Sequence, residues 1–294
     1  MMCCAACGIA EVDDIKLKDC SACKLVRYCG VKCQRDHRPQ HKRECKKRAA
    51  ELRDDILFKQ PESSHFGDCP ICCLPLPLDP TKSFLMACCC KTICDGCDYA
   101  NQMREMEEKL EKKCPFCRHL LPESEEEFKR NLMKRVEVND PVALHQMGFF
   151  YRNQEGDYEN AFPYFTKAAG IGDIQSHYEL SCWYREGTGV KKNKEKELHH
   201  SEEAAIGGHP HARHNLGCQE LTNGRIDRAV KHLIIAANLG YEKSLVPLKK
   251  AYREGLVSKE DLAAALRAHQ AALDATKSPK RDEAEAKSSS EGWM

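Results

Sequence analysis

The 294-residue sequence has no apolar run approaching the roughly 18 residues that a membrane-spanning helix needs, so none is expected. Its opening, MMCCAACGIAEVDD, has no basic segment leading into a long apolar stretch, so nothing there signals secretion. An excess of charge is lacking too. Lys plus Arg number 46 and Asp plus Glu 45, which removes bulk charge as an argument for nucleic-acid binding. With 31% charged and 41% hydrophobic residues the chain is neither membrane-embedded nor wholly disordered, and its length suits two or three domains. Cysteine is nearly missing beyond position 117, where only Cys182 and Cys218 occur, yet the first 117 positions hold 18 of the 20. In a reducing cytoplasm or nucleus, where thiols are kept reduced, such clusters are more often metal ligands than disulfides. An intracellular, zinc-binding protein is therefore expected.

The first cluster reads Cys4, Cys7, Cys20, Cys23, Cys29, Cys33, His41 and Cys45. It holds two CxxC pairs, and on a helix the i,i+4 pairs Cys29 with Cys33 and His41 with Cys45 each share one face. Four pairs make two tetrahedral sites with every position filled, so the ions would be structural. Cys3 is spare. This cluster resembles the MYND zinc finger over roughly residues 4–45, chiefly in the YC before Gly30, in CQRDH and in HKREC. The resemblance implies interleaved sites, one of Cys4, Cys7, Cys29 and Cys33 and the other of Cys20, Cys23, His41 and Cys45, and it implies binding of short proline-containing peptides of partner proteins. Lys32–Arg48 carries eight Lys and Arg against Asp36 and Glu44, and a solvated helix face explains it better than a nucleic-acid groove.

The second cluster is CPIC (Cys69, Cys72), then ACCCKTICDGC (Cys88, Cys89, Cys90, Cys94, Cys97), then CPFC (Cys114, Cys117). Three pairs are unambiguous and the fourth comes from the Cys88–Cys90 triplet, which again gives two zinc sites and four ions per chain. Cys88 with Cys90 is the preferred pair, because a gap of one residue turns two thiolates toward one ion more easily than adjacency does; Cys89 is the competitor. Cys73 reads as a spare buried thiol.

The layout over residues 69–118 resembles a RING finger. That resemblance implies one site of Cys69, Cys72, Cys94 and Cys97 and another of two triplet cysteines with Cys114 and Cys117. It further implies a ubiquitin ligase without a nucleophile of its own, a platform that holds a charged ubiquitin-conjugating enzyme in a reactive geometry. Ile71, Pro115 and Arg118 match the family's contact positions, with the Arg118 guanidinium suited to bridging ubiquitin and the conjugating enzyme. One departure stands out: the family's usual middle histidine is absent, and an alignment through Cys89 puts Lys91 in its place.

The rest of the sequence repeats itself. DPVALHQMG (140–148), DIQSHYELS (173–181), HPHARHNLG (209–217) and YEKSLVPLK (241–249) align at periods of 33, 36 and 32 residues. Their columns hold small residues (Ala143, Ser176, Ala212, Ser244), then apolar ones (Met147, Leu180, Leu216, Leu248), then Tyr151, Tyr184, Glu220 and Tyr252. A second helix in the first three copies ends in Ala-Ala and then Gly172, Gly208 or Gly240, and Ser258 is a cap for the last helix. The pattern resembles the Sel1-like repeat over about 140–272, most recognisably at GTGVKKNKEK (187–196), and implies stacked helical hairpins with a concave face for protein partners. His199, His200, His209, His211 and His214 have no fixed ligand spacing, so no metal site is assigned to them.

The expected architecture is therefore multidomain: two small zinc-stabilised cross-brace modules, then an all-α helical-repeat solenoid. The boundaries are a MYND-like finger over 1–58, a RING-like finger over 66–120 with a helix from Asp98 to Lys113, an acidic linker over 121–139, repeats over 140–272 and a disordered tail over 273–294. The expected function is an adaptor with protein partners, acting as a RING-type ligase or, alternatively, as a non-enzymatic scaffold. A nucleic-acid-associated regulator is disfavoured.

Overall fold

The computed structural model describes residues 3–12 and 14–290. Two compact units divide the chain, one of residues 1–59 and one of residues 60–294. In the first, strands β1 (Lys18–Asp19) and β2 (Arg27–Tyr28) pair antiparallel ahead of helix α1 (Val31–Leu57). Its core is Cys4, Leu17, Cys20, Cys23 and Tyr28, a cluster dominated by thiols. So little apolar surface cannot hold a domain together unaided. Pro39 lies within α1 and removes one helical hydrogen bond between the turn carrying Cys33 and the turn carrying His41 and Cys45.

The second unit opens with a docked strap. Gln60 Oε1 accepts from Asn238 Nδ2 (3.1 Å), and the His65 amide donates to the Gly208 carbonyl (3.1 Å). A cysteine-rich module follows, in which β3 (Ser83–Met86) pairs antiparallel with β4 (Lys91–Cys94), Ser83 opposite Cys94 and Met86 opposite Lys91. Helix α2 (Asp95–Glu107) ends earlier than the expected Lys113. Beyond it, buried Glu105 accepts from Asn101 Nδ2 (2.9 Å) and from the Lys113 amide (3.0 Å), which turns the chain back toward the last CxxC pair.

The acidic stretch expected as a linker over 121–139 is largely a helix, α3 (Glu125–Glu137). Ser124 caps it by accepting from the Glu127 amide (3.2 Å), and Glu125 to Glu127 sit at the positive end of its dipole. Phe128, Leu132 and Val136, spaced four apart, supply its apolar stripe with Met133 beside them, and it packs with Ala87, Cys90, Ala143 and Met147.

The repeats fold as antiparallel helix pairs: α4 (Pro141–Phe150) with α5 (Tyr158–Gly170), α6 (Ile174–Glu186) with α7 (Lys194–Ile206), α8 (Pro210–Thr222) with α9 (Ile226–Asn238), and α10 (Leu245–Arg253) with α11 (Lys259–Ala275). The sequence columns have physical causes. Asp140, Asp173 and His209, which open the first three copies, are N-caps whose side chains accept from amides of the first helical turn. The small residues Ala143, Ser176, Ala212 and Ser244 and the apolar Met147, Leu180, Leu216 and Leu248 are all buried between helices. Gly172, Gly208 and Gly240 take φ of 94°, 84° and 88°, the left-handed turn between one pair and the next. Glu220, the odd member of its column, is buried and paired with Arg225 and with Arg228 (3.0 Å), so ions brace that corner where an aromatic was expected.

The expected disorder from 273 onward is not found as far as Ser290. Helix α11 runs to Ala275 and α12 (Pro279–Ser290) packs on α2. Apolar patterning misses this helix because polar groups, described below, hold it. Residues 291–294 lie outside the described residues.

Candidate metal centres

Four donor groups converge, in each of which all ligand atoms lie within 4.8 Å of one another: Cys4, Cys7, Cys29 and Cys33; Cys20, Cys23, His41 and Cys45; Cys69, Cys72, Cys94 and Cys97; and Cys88, Cys89, Cys114 and Cys117. A tetrahedral ion about 2.3 Å from each sulfur sets neighbouring sulfurs about 3.8 Å apart. The separations fit: Cys7 to Cys29 is 3.6 Å, Cys20 to Cys45 3.8 Å, Cys72 to Cys94 3.7 Å and Cys89 to Cys114 3.9 Å. His41 Nε2 is 3.1 Å from Cys23 Sγ and completes its group with a nitrogen donor. Soft, closed donor sets of this kind are compatible with four zinc ions, two per module, and leave no coordination position for substrate. In each module the groups interleave along the chain, so each ion ties together segments that neither hairpin nor helix would join.

A shared backbone turn aims the thiolates. After four of the five CxxC pairs the next residue is left-handed: Gly8 (φ 74°), Lys24 (55°), Cys73 (56°) and Arg118 (63°), the exception being Cys94–Cys97, which runs into α2. Each of those amides donates to the carbonyl of the first cysteine in its pair, at 2.9, 2.9, 2.8 and 2.9 Å. The same turns aim amide groups at sulfur. Burial raises the Cys4 thiol, but amides of Cys7, Cys29 and Ala6 outweigh it and bring the group to about 6. Burial likewise raises Cys20 and Cys69, and amides of Cys23 and Ala22 bring the former to about 6, while amides of Cys72, Cys94 and Ile71 bring the latter to about 7.

Fifteen of the sixteen expected ligands join these groups, and one correction is needed: Cys89 stands where Cys90 was expected. Pairing Cys88 with Cys90 suits an extended chain, in which residues two apart point the same way. The triplet instead forms the turn between β3 and β4, where adjacent side chains can converge. The Cys90 amide donates to the Met86 carbonyl (2.8 Å) and Cys90 has φ 53°, which is the knuckle geometry of the four CxxC turns with Met86 in the first position. Cys89 thus occupies the place of a second knuckle cysteine, and Cys90 that of the left-handed residue after it. Its thiol, pushed up to about 12 by burial with Asp140 adding to the rise and Arg135 opposing it, belongs to the core shared with α3 and α4. Cys73, expected to be buried, is exposed, because the knuckle turns it outward.

Of the three expected contact residues, Ile71 is 41% exposed, Pro115 is half-buried and Arg118 is exposed. Sequence reasoning missed Phe116, which holds the same knuckle position as Ile71 and is 46% exposed. The signal was present in the matching CPIC and CPFC segments.

These features define a class: a zinc-finger protein with cysteine-rich modules followed by a solenoid-like helical repeat region, in which no described helix is long and apolar enough to cross a membrane. Residues 4–45 match the family model of the MYND finger. Among curated proteins the chain is similar to the histone-lysine N-methyltransferase SMYD3 of Homo sapiens, 55% identical over 31 residues. That stretch is 10% of this chain and 7% of the human protein. Among solved structures, a Sel1 repeat protein from Oxalobacter formigenes is similar at 23% identity and a TM-score of 0.45, over 59% of this chain and 70% of that one. The antigen c5321 of uropathogenic Escherichia coli, which displays an SLR fold, is similar at 18% identity and a TM-score of 0.44, over 58% of this chain and 37% of that one.

Proposed function

We propose that this chain is an intracellular adaptor whose MYND finger and helical repeats bind protein partners, and whose second module is a RING-type platform for a charged ubiquitin-conjugating enzyme. The carrying observation is the pair of interleaved four-cysteine groups flanking β3, β4 and α2, with Ile71 and Phe116 exposed at equivalent knuckle positions. An exposed apolar pair beside half-buried Pro115 and the exposed Arg118 suits protein recognition, with a rigid zinc scaffold supplying orientation in place of chemistry. The ligase reading is tested by autoubiquitination of the full chain with a panel of conjugating enzymes. Ubiquitin chains are expected with at least one of them, and Ile71→Ala or Arg118→Ala should lower the rate about tenfold, as loss of about 1.4 kcal/mol of transition-state positioning would.

A scaffold without ligase activity has its own support, because the second module is joined to the helices by Cys90 and by the Lys82–Glu285 ion pair (2.8 Å), as a purely architectural part would be. Absence of transfer with every conjugating enzyme, while the four ions and partner binding persist, favours that reading.

A further inference from the structure

Helix α12 returns to the cysteine-rich module from the far end of the repeats, and its anchor is Arg281, 5% exposed. One guanidinium nitrogen donates to the carbonyls of Pro75 (2.8 Å) and Thr276 (2.7 Å). The other lies 3.3 Å from the Leu74 carbonyl and 3.5 Å from Cys72 Sγ, a donor of the third group. Cys94 Sγ of the same group, 3.7 Å from Cys72 Sγ, also favours the charged form of this guanidinium. Close packing fixes the approach: a Cβ on Gly96 would lie 2.7 Å from the Arg281 backbone nitrogen and 2.8 Å from the Lys280 carbonyl carbon. The Lys82–Glu285 ion pair holds the next turn.

A divalent ion held by four thiolates is a group of net charge −2, and burying such charge is costly unless a cation or hydrogen-bond donors face the sulfurs. We propose that Arg281 is a positioning residue of the Cys69, Cys72, Cys94 and Cys97 zinc site, and that the C-terminal helix is therefore a working part of that site. The planar guanidinium offsets the charge of the thiolates and locks the Cys72 knuckle through the Leu74 and Pro75 carbonyls in one contact, which an ammonium could not do. Metal retention at one of four sites then depends on a side chain 209 residues away in sequence from the ligand it touches, Cys72. This inference rests on the four donor groups alone and stands or falls independently of ligase activity.

The test uses the full chain. Zinc transfer to excess EDTA under reducing conditions should show one ion of four leaving about 10 to 100 times faster in Arg281→Ala than in the parent, the usual cost of losing a group that supports a ligand. With cadmium-113 in place of zinc, the same variant should move one four-thiolate resonance and leave the others in place, and Arg281→Lys should move that same resonance. Glu285→Ala loosens α12 without removing the guanidinium and should do neither. Unchanged spectra and release, equal acceleration of all four ions, or an identical effect from Glu285→Ala would each overturn the assignment.

Discussion

A serine at position 89 removes a sulfur donor from the fourth group, whereas one at position 90 touches no donor group. Native mass spectrometry should therefore find three zinc ions in Cys89→Ser and four in Cys90→Ser. The latter still costs about 1 kcal/mol in urea unfolding, because it repacks a buried position against Leu132, Ala143 and Met147. Nothing in the letters CCC separates these two neighbours. Their roles follow from the left-handed turn at Cys90, which is a property of the hairpin between β3 and β4. By contrast the fourteen donors outside the triplet were legible, because CxxC and helical i,i+4 spacings fix the relative direction of two side chains locally.

At the scale of elements, the strap of residues 60–67 carries the clearest pH dependence. His65 stacks on His209 with ring centroids 4.2 Å apart, and both Nε2 groups donate to Gln175 Oε1, at 2.9 and 3.1 Å. Burial lowers His65 to about 4, despite the Gln175 hydrogen bond, and burial together with His65, His211 and His145 holds His209 well below 6.5. Both rings are thus neutral in the fold yet protonate near 6.5 when the chain unfolds. Their contribution is intact above pH 6.5 and is lost as pH falls from there toward 4, each ring costing up to about 1.4 kcal/mol per pH unit. Urea unfolding of the repeat region between pH 7 and 5.5 should accordingly weaken with acid, and His65→Gln should flatten that slope by close to one proton. A slope unchanged by the substitution would contradict the neutral stack. Helices α3 and α12 show the limit of pattern reading at this scale. The first has its apolar stripe masked by a run of glutamates, and the second is docked by a buried arginine that composition alone marks as solvated.

At the scale of the whole molecule, two different forces hold the parts. The core of residues 3–57 is mostly ligand thiols, so its fold depends on metal binding energy of the order of 10–16 kcal/mol per structural zinc. The repeats bury Leu233, Leu245, Leu248, Phe165, Leu180 and Trp183 and need no ion. Exhaustive chelation in reducing buffer, followed by hydrogen exchange, should leave residues 3–57 unprotected while 158–275 keep slow amides; protection that survives throughout the first unit would refute a metal-dependent fold. The sequence by itself determined the donor types, their pairing within local turns, and the helical repeat with its caps and glycine turns, since each depends on residues a few positions apart. Tertiary structure alone decided which triplet cysteines face an ion, what holds α3 and α12 in place, that His65 stacks on His209, and that Arg281 is buried. Those outcomes depend on contacts across tens to hundreds of residues, where burial and charge pairing follow from the packed neighbours and not from the local chain.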